Sequence, residues 1–178
     1  MDSWQLTILK ALTQHLQGIT PTNGYDFDMA DKVFRGRLVY GDDDPLPLIS
    51  IVEHLSADVS VDVAGENNIA RHETWVLLIQ GWVVHASDNP TDDAYNLKAA
   101  VEHRLARLIL MNPATGDPMY PSEYFLGLKS LRVITGMTIG PGVVSTAARP
   151  DGATSARAFF YLPLGIGLAT NISEPFAP

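Results

Sequence analysis

The segment Glu73–His85 constrains the fold more than any other. Trp75, Leu77, Ile79, Gly81 and Val83 alternate with Val76, Leu78, Gln80, Trp82 and Val84, so a strand here is largely apolar on both faces. Such a strand belongs in the interior of a sheet, and the expectation is cover on both sides, with the helix that follows as one cover.

That helix is expected over Pro90–Met111. Asp88 or Asn89 caps it, Pro90 fits its first turn, and Asp92 and Asp93 complement the positive end of its dipole. Ala94, Leu97, Val101, Leu105 and Leu108 make its core stripe, and Asn112-Pro113 ends it. An earlier helix follows a cap at Asp2 or Ser3, with Leu6, Leu9, Leu12 and Leu16 as its apolar positions and Gly18 as its stop.

Between these elements, Val33–Tyr40 reads as a strand with Arg35 and Arg37 side by side on one face. Gly41-Asp42-Asp43-Asp44-Pro45 reads as a turn, and Leu46–His54 as the antiparallel return of a hairpin. A weaker alternation at Val59, Val61 and Val63 marks a further strand candidate. Leu128–Ile139 and Ala156–Leu168 are late strands, followed by an extended tail from Asn171. The whole is an α+β chain with a mostly antiparallel sheet flanked by two helices, read as one domain over 1–178 because no linker divides it.

Composition removes whole classes of chemistry. The 178 residues contain no cysteine, which excludes a thiol nucleophile, a thiolate zinc site and a disulfide framework. Net charge is −8, concentrated in residues 1–110, which hold 16 acids against 8 bases; 111–178 hold four of each. A chain with that balance and no basic run is poorly suited to gripping phosphate backbones. Its start, MDSWQLTILK, lacks a cationic region ahead of the apolar one and does not read as a secretory signal, and no apolar run approaches a membrane span.

No linear motif supplies an active site. His72-Glu73 lacks the second histidine of a zinc helix, since position 76 is Val76. Asp42, Asp43 and Asp44 are consecutive and diverge, unlike the alternating ligands of a calcium loop. The glycines at 136, 140 and 142 form no phosphate loop, and no GxSxG elbow is present. The expectation is therefore no catalytic residue, no metal and no cofactor.

The order of elements carries a resemblance. A capped first helix, then KVFRGRLVYGDDDPLPLISIVEH, RHETWVLLIQGWVVH, PTDDAYNLKAAVEHRLARLI and finally ARAFFYLPLGIGLATN resembles the tail terminator, or tail completion, proteins of long-tailed bacteriophages. The resemblance implies a structural virion protein, assembled in the host cytoplasm. Its homohexameric ring would stop tail-tube polymerisation and join the tail to the neck or head. Its implied partners are further copies of the chain, the tube protein and a neck or head-completion protein, with DNA passing through unbound and no membrane involved.

Within that reading Arg35 and Arg37 are the interface candidates, pairing with Asp42, Asp43 or Asp44 of a neighbour. Asp26, Asp28 and Asp31, together with Asp42–Asp44, are candidates for the channel wall. Solubility of the free subunit is an equally good reason for the acids. The rival readings are a neck or head-completion protein, and a small enzyme or ligand-binding module whose pocket leaves no linear motif.

Overall fold

A computed structural model describes residues 1–38, 43–53, 69–84, 88–89, 91–128, 131–146 and 157–178. Its elements run α1 (Trp4–Gln17), β1 (Val33–Arg35), β2 (Leu48–Glu53), β3 (Ala70–Val84), α2 (Asp92–Ala106), β4 (Ile134–Ile139), β5 (Val143–Thr146) and β6 (Arg157–Asn171). The strands form one sheet in the order β1-β2-β3-β6-β4, with β5 also paired to β6. The chain is thus α+β, as expected, with two helices against a mixed, mostly antiparallel sheet.

The α1 helix begins where the Ser3 hydroxyl accepts the Leu6 N–H at 3.2 Å and ends at Gly18. Its buried stripe is Ile8, Leu12, His15 and Leu16; Leu6, expected inside, is exposed. The α2 helix starts later than expected, with Thr91 at its N-cap position, and buries Ala94, Leu97, Val101 and Leu105; Leu108 is buried in the turns beyond it. Pro90 lies outside the described residues.

At the centre β3 and β6 pair antiparallel over fifteen residues each, from Ala70↔Asn171 to Val84↔Arg157. On one face Trp75, Leu77, Ile79, Val83, Phe160, Leu162, Leu164 and Ile166 join the residues of both helices in one apolar core. The far edge of β6 carries β4 against Leu164–Leu168 and β5 against Ala158–Tyr161, with Gly140-Pro141-Gly142 between them. Pro163 sits at that break. It has no N–H for the ladder, and its carbonyl accepts from Gly140 N–H at 2.8 Å.

Two expectations are corrected. The hairpin is not antiparallel: β1 pairs β2 parallel, Val33↔Ile49 to Arg35↔Ile51. Gly36, at φ +66, ends β1 after three residues and turns the chain. Nor are the two sides of β3 buried alike among the described residues. On β3 only the Trp75–Val83 set is buried, while Val76, Leu78, Gln80 and Trp82 remain half-buried and Val84 exposed. The strand candidate at Val59, Val61 and Val63 lies outside the described residues, as do Val39 and Tyr40. β5 arises from a stretch that showed no strand pattern.

Candidate functional site

Register places a second row of side chains opposite the core. Trp82 faces Phe159, Gln80 faces Tyr161 and Leu78 faces Pro163, with Val143 of β5 beside Tyr161. Trp82 and Phe159 stack, their ring centroids 4.8 Å apart. Further along, Gly165 and Gly167 leave the surface low. A Cβ on either would stand 2.6 Å from a threonine hydroxyl, of Thr138 or Thr135, so these positions accept no side chain without movement. Among the β3 and β6 positions on this open face, Arg157 is the single Lys, Arg, Asp or Glu. Among the described residues the stretch of this face from Leu78 to Trp82 and from Phe159 to Pro163 carries no charge, on a chain of net charge −8.

At the β2 end this face is covered by the chain beyond Gly36. Ser50 is buried, its hydroxyl donating to the Arg37 carbonyl at 2.7 Å and accepting the Arg37 N–H at 3.2 Å. The Arg37 guanidinium lies 4.8 Å from the Phe34 ring centroid and forms an ion pair with Asp44 of its own chain. Arg35 shares register with Ile51, on the helix side of the sheet. The two arginines expected side by side are therefore separated, because the turn at Gly36 carries Arg37 across to the other face.

Of the remaining candidates, Asp43, Asp26, Asp28 and Asp31 are exposed, and Asp28 accepts the Ala30 N–H at 3.1 Å. Asp42 lies outside the described residues.

Among the described residues a polar cluster that no sequence pattern marks centres on Glu123. Glu123 binds Arg107 through two hydrogen bonds, 3.0 and 2.5 Å, and lies 3.4 Å from Arg104 and 3.5 Å from His15 Nδ1. His15 Nε2–H donates to the Arg104 carbonyl at 2.7 Å, and Arg104 Nε–H to the His15 carbonyl at 2.9 Å. Tyr120 stacks under Arg107, whose guanidinium is 4.1 Å from its ring centroid. Burial pushes the His15 pKa down to about 4, and the Arg104 and Arg107 charges act the same way against the pull of Glu123. Burial would raise Glu123, but the Arg107 hydrogen bond and the two arginine charges outweigh it and hold the carboxyl below its ordinary value. This cluster ties α1 and α2 to the 120–128 segment. His15 and Glu123 are 108 positions apart in sequence, so no linear spacing signalled it.

A cleft of about 260 Å³ opens between the start of α1, the ends of β3 and β6 and the tail, with Arg71 and Glu73 3.3 Å apart in its wall. Among the described residues no group of three His, Asp or Glu side chains is placed to hold a metal ion, and no helix is long and apolar enough to cross a membrane. No protein-family model and no curated protein matches the chain.

Proposed function

We propose that this chain is a non-enzymatic structural subunit of the tail-terminator kind, which closes a homohexameric ring at the end of a long-tailed phage tail tube and joins it to the neck. The observation that carries the reading is the uncharged, half-buried sheet face built on Leu78, Trp82, Phe159 and Tyr161, with Val143 exposed beside it. Covering such a face stabilises by roughly 25 cal/mol for each Å² of apolar surface removed from water, and among the described residues both α-helices pack on the opposite face.

In this role Arg35 is an interface candidate on the helix side of the sheet, and Arg37, already joined to Asp44, acts at a contact only as part of that pair. The exposed acids Asp26, Asp28, Asp31 and Asp43 suit a channel wall that repels the phosphates of passing DNA, within a screening distance of about 8 Å at physiological salt. A neck or head-completion subunit would use the same face. For the ligand-binding alternative the described residues offer the Arg71/Glu73 cleft, of about 260 Å³, and a wider and more open depression of about 590 Å³ along Val33–Arg37.

Light scattering on the eluted peak of a sizing column, with negative-stain imaging of the same fraction, tests the reading. The expected result is a closed ring of six. A protein that stays monomeric at submillimolar concentration and in the presence of tail tubes would overturn it.

A further inference from the structure

A head-to-tail ring requires two unlike patches on each subunit, and the chain carries a second one. Past α2 it makes a tight turn over residues 110–119. Met119 N–H donates to the Leu110 carbonyl at 2.9 Å, Asn112 N–H to the Asp117 carbonyl at 2.7 Å, and Gly116 N–H to the Asn112 carbonyl at 2.8 Å. Met111 and Pro118 form a bridge across it, and Asn112 Oδ1 accepts the Ala114 N–H at 2.9 Å. The turn is thus held in shape by its own hydrogen bonds.

Its apolar side chains nevertheless face water. Leu110, Met111 and Met119 are 42%, 39% and 49% exposed. Methionine adapts to the shape it meets, which suits a contact surface. This knob belongs to the helical layer: Leu108 just before it is in the core, and Phe125 just after it donates its N–H to the Leu108 carbonyl at 3.0 Å. The open face lies on the opposite side of the sheet.

We propose that the 110–119 turn of one copy docks on the open face of β3, β6 and β5 of the next copy, an inference that rests on the ring reading above. The charges agree. The knob carries one charged residue, Asp117, and the face positions of β3 and β6 carry one of opposite sign, Arg157. No other described position of β3, β5 or β6 on that face is charged, and Arg37 and Asp44 at its β2 end are paired with each other.

The absence of cysteine makes the test clean. Met119→Cys and Val143→Cys are prepared separately, mixed in equal amounts and treated with a short bismaleimide, with light scattering run in parallel. The expected result is a covalent pair formed between the two variants and not within either one, and a ladder of oligomers from the double variant. Met119→Asp, at an exposed position that leaves the fold intact by circular dichroism, weakens association at least about tenfold, as for one central contact residue. Oligomers without the mixed crosslink, or with Met119→Cys linked to itself, would overturn the docking and leave the ring reading standing. A monomer under all conditions would overturn both.

Discussion

Phe160 lies directly over Gly81. A Cβ built on residue 81 would stand 2.1 Å from Phe160 Cε1, and Phe160 is a fully buried side chain at the centre of the core. The two are register partners on β6 and β3, so the ring has no lateral escape without disturbing the sheet's longest ladder. Gly81→Ala is expected to destabilise the fold by about 2–3 kcal/mol, as overpacking in a well-filled core does. Urea unfolding with an unchanged slope would read that as a lower midpoint.

Acid should loosen the junction of α1, α2 and the 120–128 segment. With a folded pKa of about 4 against an ordinary 6.5, His15 takes up a proton on unfolding anywhere between those values. Its contribution is fully present above pH 6.5 and falls away as pH drops toward 4. The loss amounts to about 3 kcal/mol at its fullest. The lowered Glu123 pKa acts in the same direction, present above the ordinary carboxylate range and lost below it. In His15→Gln the amide can still donate to the Arg104 carbonyl, so the expected cost at pH 8 is only about 1 kcal/mol, with a flatter stability profile between pH 6.5 and 4. Denaturant midpoints measured across that range check both statements.

Arg35 and Arg37 should behave differently in the isolated subunit. Arg37→Glu brings a carboxylate against Asp44 and removes the cation from the Phe34 ring, for an expected loss of about 1 kcal/mol. Arg35 is exposed on the helix side and Arg35→Glu is expected to leave the melting temperature unchanged within about 1 °C. Paired thermal melts decide it. Equal losses would mean that the separation of the two side chains at Gly36 has no energetic consequence.

Much of the fold was legible because periodicity and caps are local. Ser3, the Leu97–Val101–Leu105 stripe and the alternation through Trp75–Val83 each fix an element without reference to the rest of the chain. Topology was less so. That β1 runs parallel to β2 has no local signature in the sequence, and β5 pairs with the edge of β6 at Ala158–Tyr161 although Val143–Thr146 does not pattern strongly. The open face was misjudged for a related reason. An apolar strand demands cover on both sides, but sequence does not say whether the cover comes from the same chain. His15 and Glu123 meet only through the packing of α1 against α2 and the following loop, so their cluster had no signature in sequence.

The response of assembly to salt separates two kinds of contact. If Arg35 and Arg37 held neighbouring acids across the interface, the attraction would be between exposed ions, and raising salt would weaken the ring. If the contact is the neutral face of Leu78, Trp82, Phe159 and Tyr161, the main electrostatic term left is repulsion between chains of net charge −8. Screening shortens the reach of that repulsion from about 10 Å at 0.1 M to about 3 Å at 1 M, while apolar burial is untouched or strengthened. Assembly is therefore expected to tighten with salt, most steeply below 0.2 M. Sodium sulfate should promote it beyond what its ionic strength alone would do, because it also favours burial of apolar surface. Sedimentation velocity across a sodium chloride series gives the sign directly. A ring that dissociates as salt rises would assign the contact to ion pairs and leave the open face without its proposed role.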